Sequence, residues 1–294
     1  MHWQTSRFSL DLTRPQVMGI VNVTPDSFSD GGRHASTQAA IAHCEQLIED
    51  GADILDIGGE STRPGAQALP AGEELDRVLP VLRAAVGMGV AVSVDTYKPV
   101  VMRAALELGA DIINDIWALR WADPQGGPTG EDLVAAHPQC GVCLMHMHRE
   151  PVTMQVAPMD GDVVPQVLEF LLERAHALEA RGVAADRITL DPGIGFGKTV
   201  RQNFSLLARQ AQLLSAGYPV LAGWSRKSSL AAVTQTSLGA VARMDVQERM
   251  VPSVTAALLS VQNGARVVRV HDVKETVQAL KVWAATQAEA TAPV

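Results

Sequence analysis

A single (β/α)8 barrel is the fold this sequence predicts, on three observations. Eight short apolar runs alternate with stretches of helical period. Glycines mark the joints where a helix gives way to a strand. Long polar segments follow the runs, while short turns precede them. The 294 residues suit one such domain of roughly 250 residues with peripheral ends. Hydrophobic residues make up 47% and charged residues 19%, too apolar for a disordered chain. Aromatics are only 4%, which disfavours an aromatic-rich β-sandwich.

The apolar runs are 17–23, 53–58, 90–95, 111–115, 142–146, 188–191, 220–224 and 266–271. Several are nearly continuous in Ile, Val and Leu, as parallel strands covered on both faces are. Helical period is clearest at Val164, Val167, Leu168, Leu171, Leu172, Ala175 and Leu178. A second stripe is Val100, Val101, Ala104, Ala105 and Leu108. Gly51, Gly89, Gly109, Gly182, Gly217 and Gly264 each close a helical stretch, where a left-handed residue is needed before the strand. Gly141 is read the same way. An open doubly wound sheet would need a Gly-rich turn after the first strand, yet Val23 runs into Thr24, Pro25 and Asp26. Residues 1–16 read as an N-terminal extension, 17–286 as the barrel and 287–294 as a flexible tail.

The formal net charge of −8 argues against nucleic acid or an anionic membrane as partner. No apolar run approaches the roughly 18 residues of a membrane span, and the first residues lack a signal-peptide core, so a cytoplasmic protein is expected. The three cysteines are Cys44, Cys140 and Cys143, too few and odd in number for a disulfide framework. Cys140 and Cys143 form a CxxC. On a strand, however, positions three apart face opposite ways, so packing is the expected role.

In a barrel, every loop that follows a strand opens on one face, where the chemistry sits. The strand ends are polar: Asn22, Asp56 with 60–64, Asp95, Asn114 with Asp115, His146, Asp191, 225–228, and Arg269 with His271. Buried polar groups without partners cost about 1–3 kcal/mol each, so a plain core would not collect them. Asp95, Asn114 and Asp191 suit a flat heterocycle with adjacent N–H donors. Arg63, Arg226, Lys227, Arg269 and His271, with Asn22 and Thr62, suit a diphosphate.

These residues lie in strings that resemble the dihydropteroate synthase family. The strings are MGIVNVTPDSFSDGG at 18–32, DIGGESTRPG at 56–65, SVDT at 93–96, IND at 113–115, LMHM at 144–147, DPGIGFGK at 191–198, SRKS at 225–228 and VRVHDV at 268–273. The resemblance implies a (β/α)8 barrel that condenses a dihydropterin methyl diphosphate with 4-aminobenzoate and is inhibited by sulfonamides. It implies a pterin pocket of Asp95, Asn114, Asp191, Lys227 and Met145, and catalytic roles for Asp95, Arg63 and Lys227. It implies diphosphate binding by Asn22, Thr62, Arg63, Arg269 and His271, with Mg2+ on Asn22. The aminobenzoate pocket would be Phe28, Thr62, Arg63, Pro64, Phe196, Lys227 and Ser228. A homodimer is expected.

The sequence departs from the family at His148, Arg149 and Glu150, where the family commonly has a residue followed by glycine. The 121–130 loop has no assigned role. Three rival readings are a corrinoid-dependent methyltransferase barrel, a non-catalytic paralogue and a metallohydrolase using His146 and His148. The combined presence of Arg63, Lys227, Arg269 and His271 weighs against the first. Retention of Asn22, Asp26, Arg63 and His271 weighs against the second, and the lack of further histidine ligands against the third.

Overall fold

After a short antiparallel hairpin of β1 (His2–Gln4) and β2 (Ser9–Asp11), eight strands follow the eight apolar runs to within a few residues. They are β3 (Gln16–Asn22), β4 (Ile54–Gly58), β5 (Ala91–Asp95), β6 (Ile112–Asp115), β7 (Gly141–Met145), β8 (Ile188–Asp191), β9 (Leu221–Ala222) and β10 (Val267–Val270). This computed structural model describes residues 1–24, 32–62, 65–234 and 245–291. The helices are α1 (Gly32–Glu49), α2 (Ala71–Ala85), α3 (Pro99–Glu107), α4 (Gly130–Ala136), α5 (Val163–Glu179), α6 (Val200–Ala208), α7 (Ser228–Thr234), α8 (Met250–Gln262) and α9 (Val273–Thr291).

The sheet order is β8-β7-β6-β5-β4-β3-β10-β9, with parallel pairing throughout. A parallel bridge between Leu190 and Val220 joins its two edges and closes the barrel. Closure removes the unpaired edges that an open sheet would leave. Six of the predicted glycine joints, at 51, 89, 109, 182, 217 and 264, have positive φ. The α5 stripe buries Val164, Val167, Leu171, Ala175 and Leu178 as predicted. In α3 the buried face is Val101, Met102 and Ala105, so Val100 points out, 41% exposed.

Side chains alternate along a strand, and every second residue enters the barrel. Met18, Ile54, Ala91, Ile112, Cys143, Leu221 and Val267 form one apolar floor, packed with Trp3 and Leu12. Two residues further along β4, β5, β6 and β10 come Asp56, Ser93, Asn114 and Arg269. The barrel is therefore apolar at its N-terminal end and polar toward its C-terminal end.

Three expectations are corrected. The extension 1–16 is not peripheral: its hairpin sets Trp3, fully buried, into the floor, with indole Nε1 donating to the Arg187 carbonyl at 3.0 Å. Gly141 is not a helix-closing glycine. It begins β7, and a Cβ there would meet the Gln4 carbonyl and Trp3 Nε1 at 3.1 Å, so its smallness makes room for the hairpin. Residues 287–291 continue α9 rather than forming a tail.

Candidate active site

Register places the polar strand ends side by side. Asn22 pairs with Gly58, Gly58 with Asp95, and Asp95 with Asn114. Gly58 suits its place because a Cβ there would lie 3.3 Å from the Asp95 Cβ. Met145 pairs with Asp191 across β7 and β8. Asp95, Met145 and Asp191 end β5, β7 and β8, Asn114 is one residue short of the end of β6, and Lys227 follows β9, so the residues expected to hold the pterin come from neighbouring strand ends.

Arg269 enters this rim from β10 and spans two acids. Its Nε donates to Asp56 Oδ2 and its Nη2 to Asp95 Oδ2, each at 2.6 Å. Asn114 Nδ2 donates to the same Asp56 Oδ2 at 3.2 Å, while Asp56 Oδ1 has no hydrogen-bond partner among the described residues. Burial pushes the Asp95 carboxyl up to about 7; Arg269 opposes this and Asp56 adds to it. Burial works to lower the pKa of Arg269, but the two carboxylates outweigh it and hold it above its ordinary value. Arg269 was expected as an anion clamp. It is also the counter-charge that lets two acids share the barrel interior.

Asp191 is buried, and burial raises its carboxyl, opposed by the Gly193 N–H and by Lys227. Gly193 N donates to Asp191 Oδ1 at 2.7 Å. Lys227 is half-buried, its Nζ 4.3 Å from the centre of the Phe196 ring, and Gly195 leaves the space its chain occupies. Met145 and Phe196 belong to an apolar cluster with Tyr97, Ile116, Met147 and Met154. Trp121, from the loop with no assigned role, packs edge-on to Tyr97 at 5.3 Å and so extends this apolar wall.

On the anion side, Ser225 Oγ accepts the His271 backbone N–H at 3.0 Å and lies 2.9 Å from His271 Nδ1. The hydroxyl can then donate to Nδ1, which leaves the ring proton on Nε2. Arg226 pairs with Asp272, Nη2 to Oδ1 at 2.7 Å. Thr62 is half-buried and Ser228 exposed at the rim. Phe28, Arg63 and Pro64 lie outside the described residues, as does Asp26.

Other calls resolve locally. Asp115 accepts the Trp117 and Leu119 N–H groups, both at 2.7 Å, and shapes its loop. Cys140 and Cys143 are free and buried, one in the outer core and one in the barrel floor, as the packing reading expects. His146 does not join His148. Its Nδ1 lies 2.9 Å from the ammonium of Lys198, and burial followed by Lys198 lowers its pKa to about 2. Two groups were missed. Asp56 was noted at a strand end without a role. Glu60 is gripped by Lys98, which also pairs with Glu74, and by Tyr97 Oη at 3.1 Å.

The family described as pterin binding enzyme matches residues 18–271. The chain is 48% identical over 286 residues to a dihydropteroate synthase of Neisseria meningitidis serogroup C, covering 96% of each. It is similar to the structure of Xanthomonas albilineans dihydropteroate synthase with 4-aminobenzoic acid, with TM-score 0.87, 48% identity and full coverage of both chains. It is also similar to the Yersinia pestis dihydropteroate synthase in a sulfonamide drug complex, with TM-score 0.88, 41% identity, and coverage of 98% of this chain and 100% of that one. Among the described residues no helix is long and apolar enough to cross a membrane.

Proposed function

The chain belongs to the pterin-binding enzyme family, and from that premise we propose how its residues carry out dihydropteroate synthesis. The reaction joins (7,8-dihydropterin-6-yl)methyl diphosphate to 4-aminobenzoate and gives 7,8-dihydropteroate and pyrophosphate, a step of folate synthesis. The observation that carries this reading is the rim where Arg269 pairs with Asp95, beside Asn114, and acts electrostatically on Asp191.

Asp191 accepts the 2-amino and ring N–H edge of the pterin, two parallel donors for one carboxylate. Asn114 adds a polar contact, Lys227 lies along the pocket, and Met145 packs against the ring. Arg269 and His271 bind the diphosphate, with Thr62 and Arg63. When the methylene C–O bond breaks, its electron pair leaves with pyrophosphate and the dihydropterin becomes a cation. Asp95, freed from Arg269 as the diphosphate draws the guanidinium, stabilises that cation; a charge set in place beforehand is worth several kcal/mol in a dry site, on the order of 3. The aminobenzoate nitrogen then attacks the methylene and loses a proton. Phe28, Pro64, Phe196 and Ser228 shape its pocket.

Mg2+ fits this donor set. Among the described residues there is no cluster of three His, Cys, Asp or Glu, and Asn22 offers one hard amide oxygen at the rim. Mg2+ characteristically takes one or two protein ligands and draws the rest from phosphate and water. Bound there, it would offset the charge of the leaving diphosphate. We place the activity in the cytoplasm, in keeping with three free thiols. A homodimer through α8 and α9 is supported by exposed Val251, Leu259 and Val282.

Pyrophosphate release from the pterin diphosphate should require 4-aminobenzoate, and sulfonamides should compete with it. Release that ignores aminobenzoate, or inhibition that aminobenzoate does not relieve, would refute the function.

A further inference from the structure

One buried lysine ties the residue after β7 to the turn after β8. Lys198 is 2% exposed, and its Nζ lies 2.9 Å from the Gly193 carbonyl, 3.1 Å from the Phe196 carbonyl and 2.9 Å from His146 Nδ1. The His146 carbonyl is a fourth neighbour at 3.4 Å. All four are acceptors, and His146 is neutral, so the three ammonium hydrogens each meet a lone pair. We propose that Lys198 is a positioning residue for the pterin half of the reaction: it fixes the 193–197 turn, and the turn aims Asp191 and Phe196.

The turn has two working faces. Its Gly193 N–H holds Asp191 Oδ1 at 2.7 Å, and its Phe196 ring carries the Lys227 ammonium at 4.3 Å. The turn also sits too close to β7 for any side chain at its first glycine, since a Cβ on Gly193 would lie 1.9 Å from the His146 carbonyl. A neutral polar side chain would suffice merely to fasten a loop. Asn203 already does so here, its Oδ1 accepting Gly195 N–H at 2.9 Å. A buried ammonium costs far more to place than an amide, so its charge calls for a reason. Asp191 supplies one. Burial pulls Lys198 down to about 7 while Asp191 opposes that, and Lys198 in turn opposes the rise of Asp191. Lys227 and Arg269 face Asp191 as well, from the loop after β9 and from β10, and Cys143 from β7. Lys198 also holds the backbone that orients the acid, through the Gly193 and Phe196 carbonyls.

This inference rests on Asp191 as the acid that reads the pterin. The test uses two probes on the full-length protein, each titrated by calorimetry: the pterin alcohol, which lacks a diphosphate, and inorganic pyrophosphate with Mg2+. Lys198→Met should weaken the pterin alcohol by about tenfold or more, the loss expected when a charged hydrogen-bond set is truncated. Pyrophosphate affinity should stay within about twofold, because Asn22, Arg269 and His271 are held by other elements. Equal losses for both probes, or unchanged pterin affinity, would overturn the proposal. Should Lys198→Met fail to fold, lysine-selective 15N spectra of the wild type decide. The Lys198 ζ-nitrogen resonance, assigned by its loss in Lys198→Arg, should move with the pterin alcohol and stay in place with pyrophosphate. The reverse pattern, or no movement with pterin, would overturn the role. A wild type that binds no pterin alcohol would instead refute the function itself.

Discussion

Asp56, Asp95 and Arg269 come from three different strands, and one guanidinium serves both acids. That sharing sets a pH dependence. In the mechanism we propose, Asp95 is ionised when it faces the dihydropterin cation, yet burial holds its carboxyl up at about 7. Activity as kcat/KM for the pterin diphosphate should therefore fall as pH drops below about 7, since that ratio reports the free enzyme. Asp56 contributes to the rise, so Asp56→Asn should move this acid limb to lower pH, by about half a unit or more. A limb that stays put would show that the two acids are not coupled. The sign for stability follows from the same shift. Asp95 holds its proton more tightly when folded than at its ordinary 3.8, so its favourable contribution is full below that value and is lost as pH rises through about 7. Asp191→Asn tests a separate point: an NH2 would face a pterin donor, and affinity for the pterin alcohol should fall at least about tenfold in calorimetry. Asp95, Asn114 and Asp191 were legible in the sequence because each closes an apolar run. The roles of Asp56 and Lys198 were not, because their partners lie 213 and 52 residues away in the chain.

The elements explain how those side chains are presented. The eight strands were readable from their apolar runs, and six joints from their glycines, because local conformation dictates both. The supports beneath the loops were not readable, since they are contacts between one loop and the next. The loop after β4 begins at Glu60, which Lys98 and Tyr97 grip from the loop after β5. Gly65 N donates to the Pro151 carbonyl at 3.3 Å, so the 146–162 segment, with its unusual His148, Arg149 and Glu150, braces that loop at Gly65. Thr62 lies between these two anchors, two residues past Glu60. Tyr97→Phe removes one hydrogen bond to a carboxylate, worth about 1.5–3 kcal/mol where it is made. Only part of that loss should reach the substrate. The KM for 4-aminobenzoate should rise by about threefold to tenfold, while affinity for the pterin alcohol stays within about twofold. Steady-state kinetics and calorimetry on the one variant separate the two, and a matching loss of pterin affinity would mean that Tyr97 supports the whole pocket instead.

Across the whole molecule, stability and chemistry occupy opposite ends of the barrel, as (β/α)8 folds generally arrange them. The C-terminal rim gathers the acids, the cations and the long loops. The N-terminal mouth is sealed by Trp3 and Leu12 over an apolar floor of seven strand residues. The hairpin is fixed there by more than packing. Arg7 makes an ion pair with Asp111, and Asp111 also accepts the Val92 N–H at 2.8 Å, so β1 and β2 are locked to β5 and β6. Composition gave no sign of this, because residues 1–16 contain no long apolar run and a single tryptophan reads as peripheral until the barrel is built beneath it. Trp3 is fully buried, and truncation of a large buried aromatic costs about 3–5 kcal/mol. Trp3→Ala should therefore lower the denaturation midpoint substantially in urea. Yet the floor residues reach the rim only through strands that remain paired, so kcat and the affinity for the pterin alcohol in the folded fraction should stay within about twofold of wild type. Unchanged stability would mean that the hairpin merely rests on the barrel. A large loss of kcat at temperatures where the variant is folded would mean that the floor sets the geometry of the rim, and that the two ends of this barrel are mechanically one.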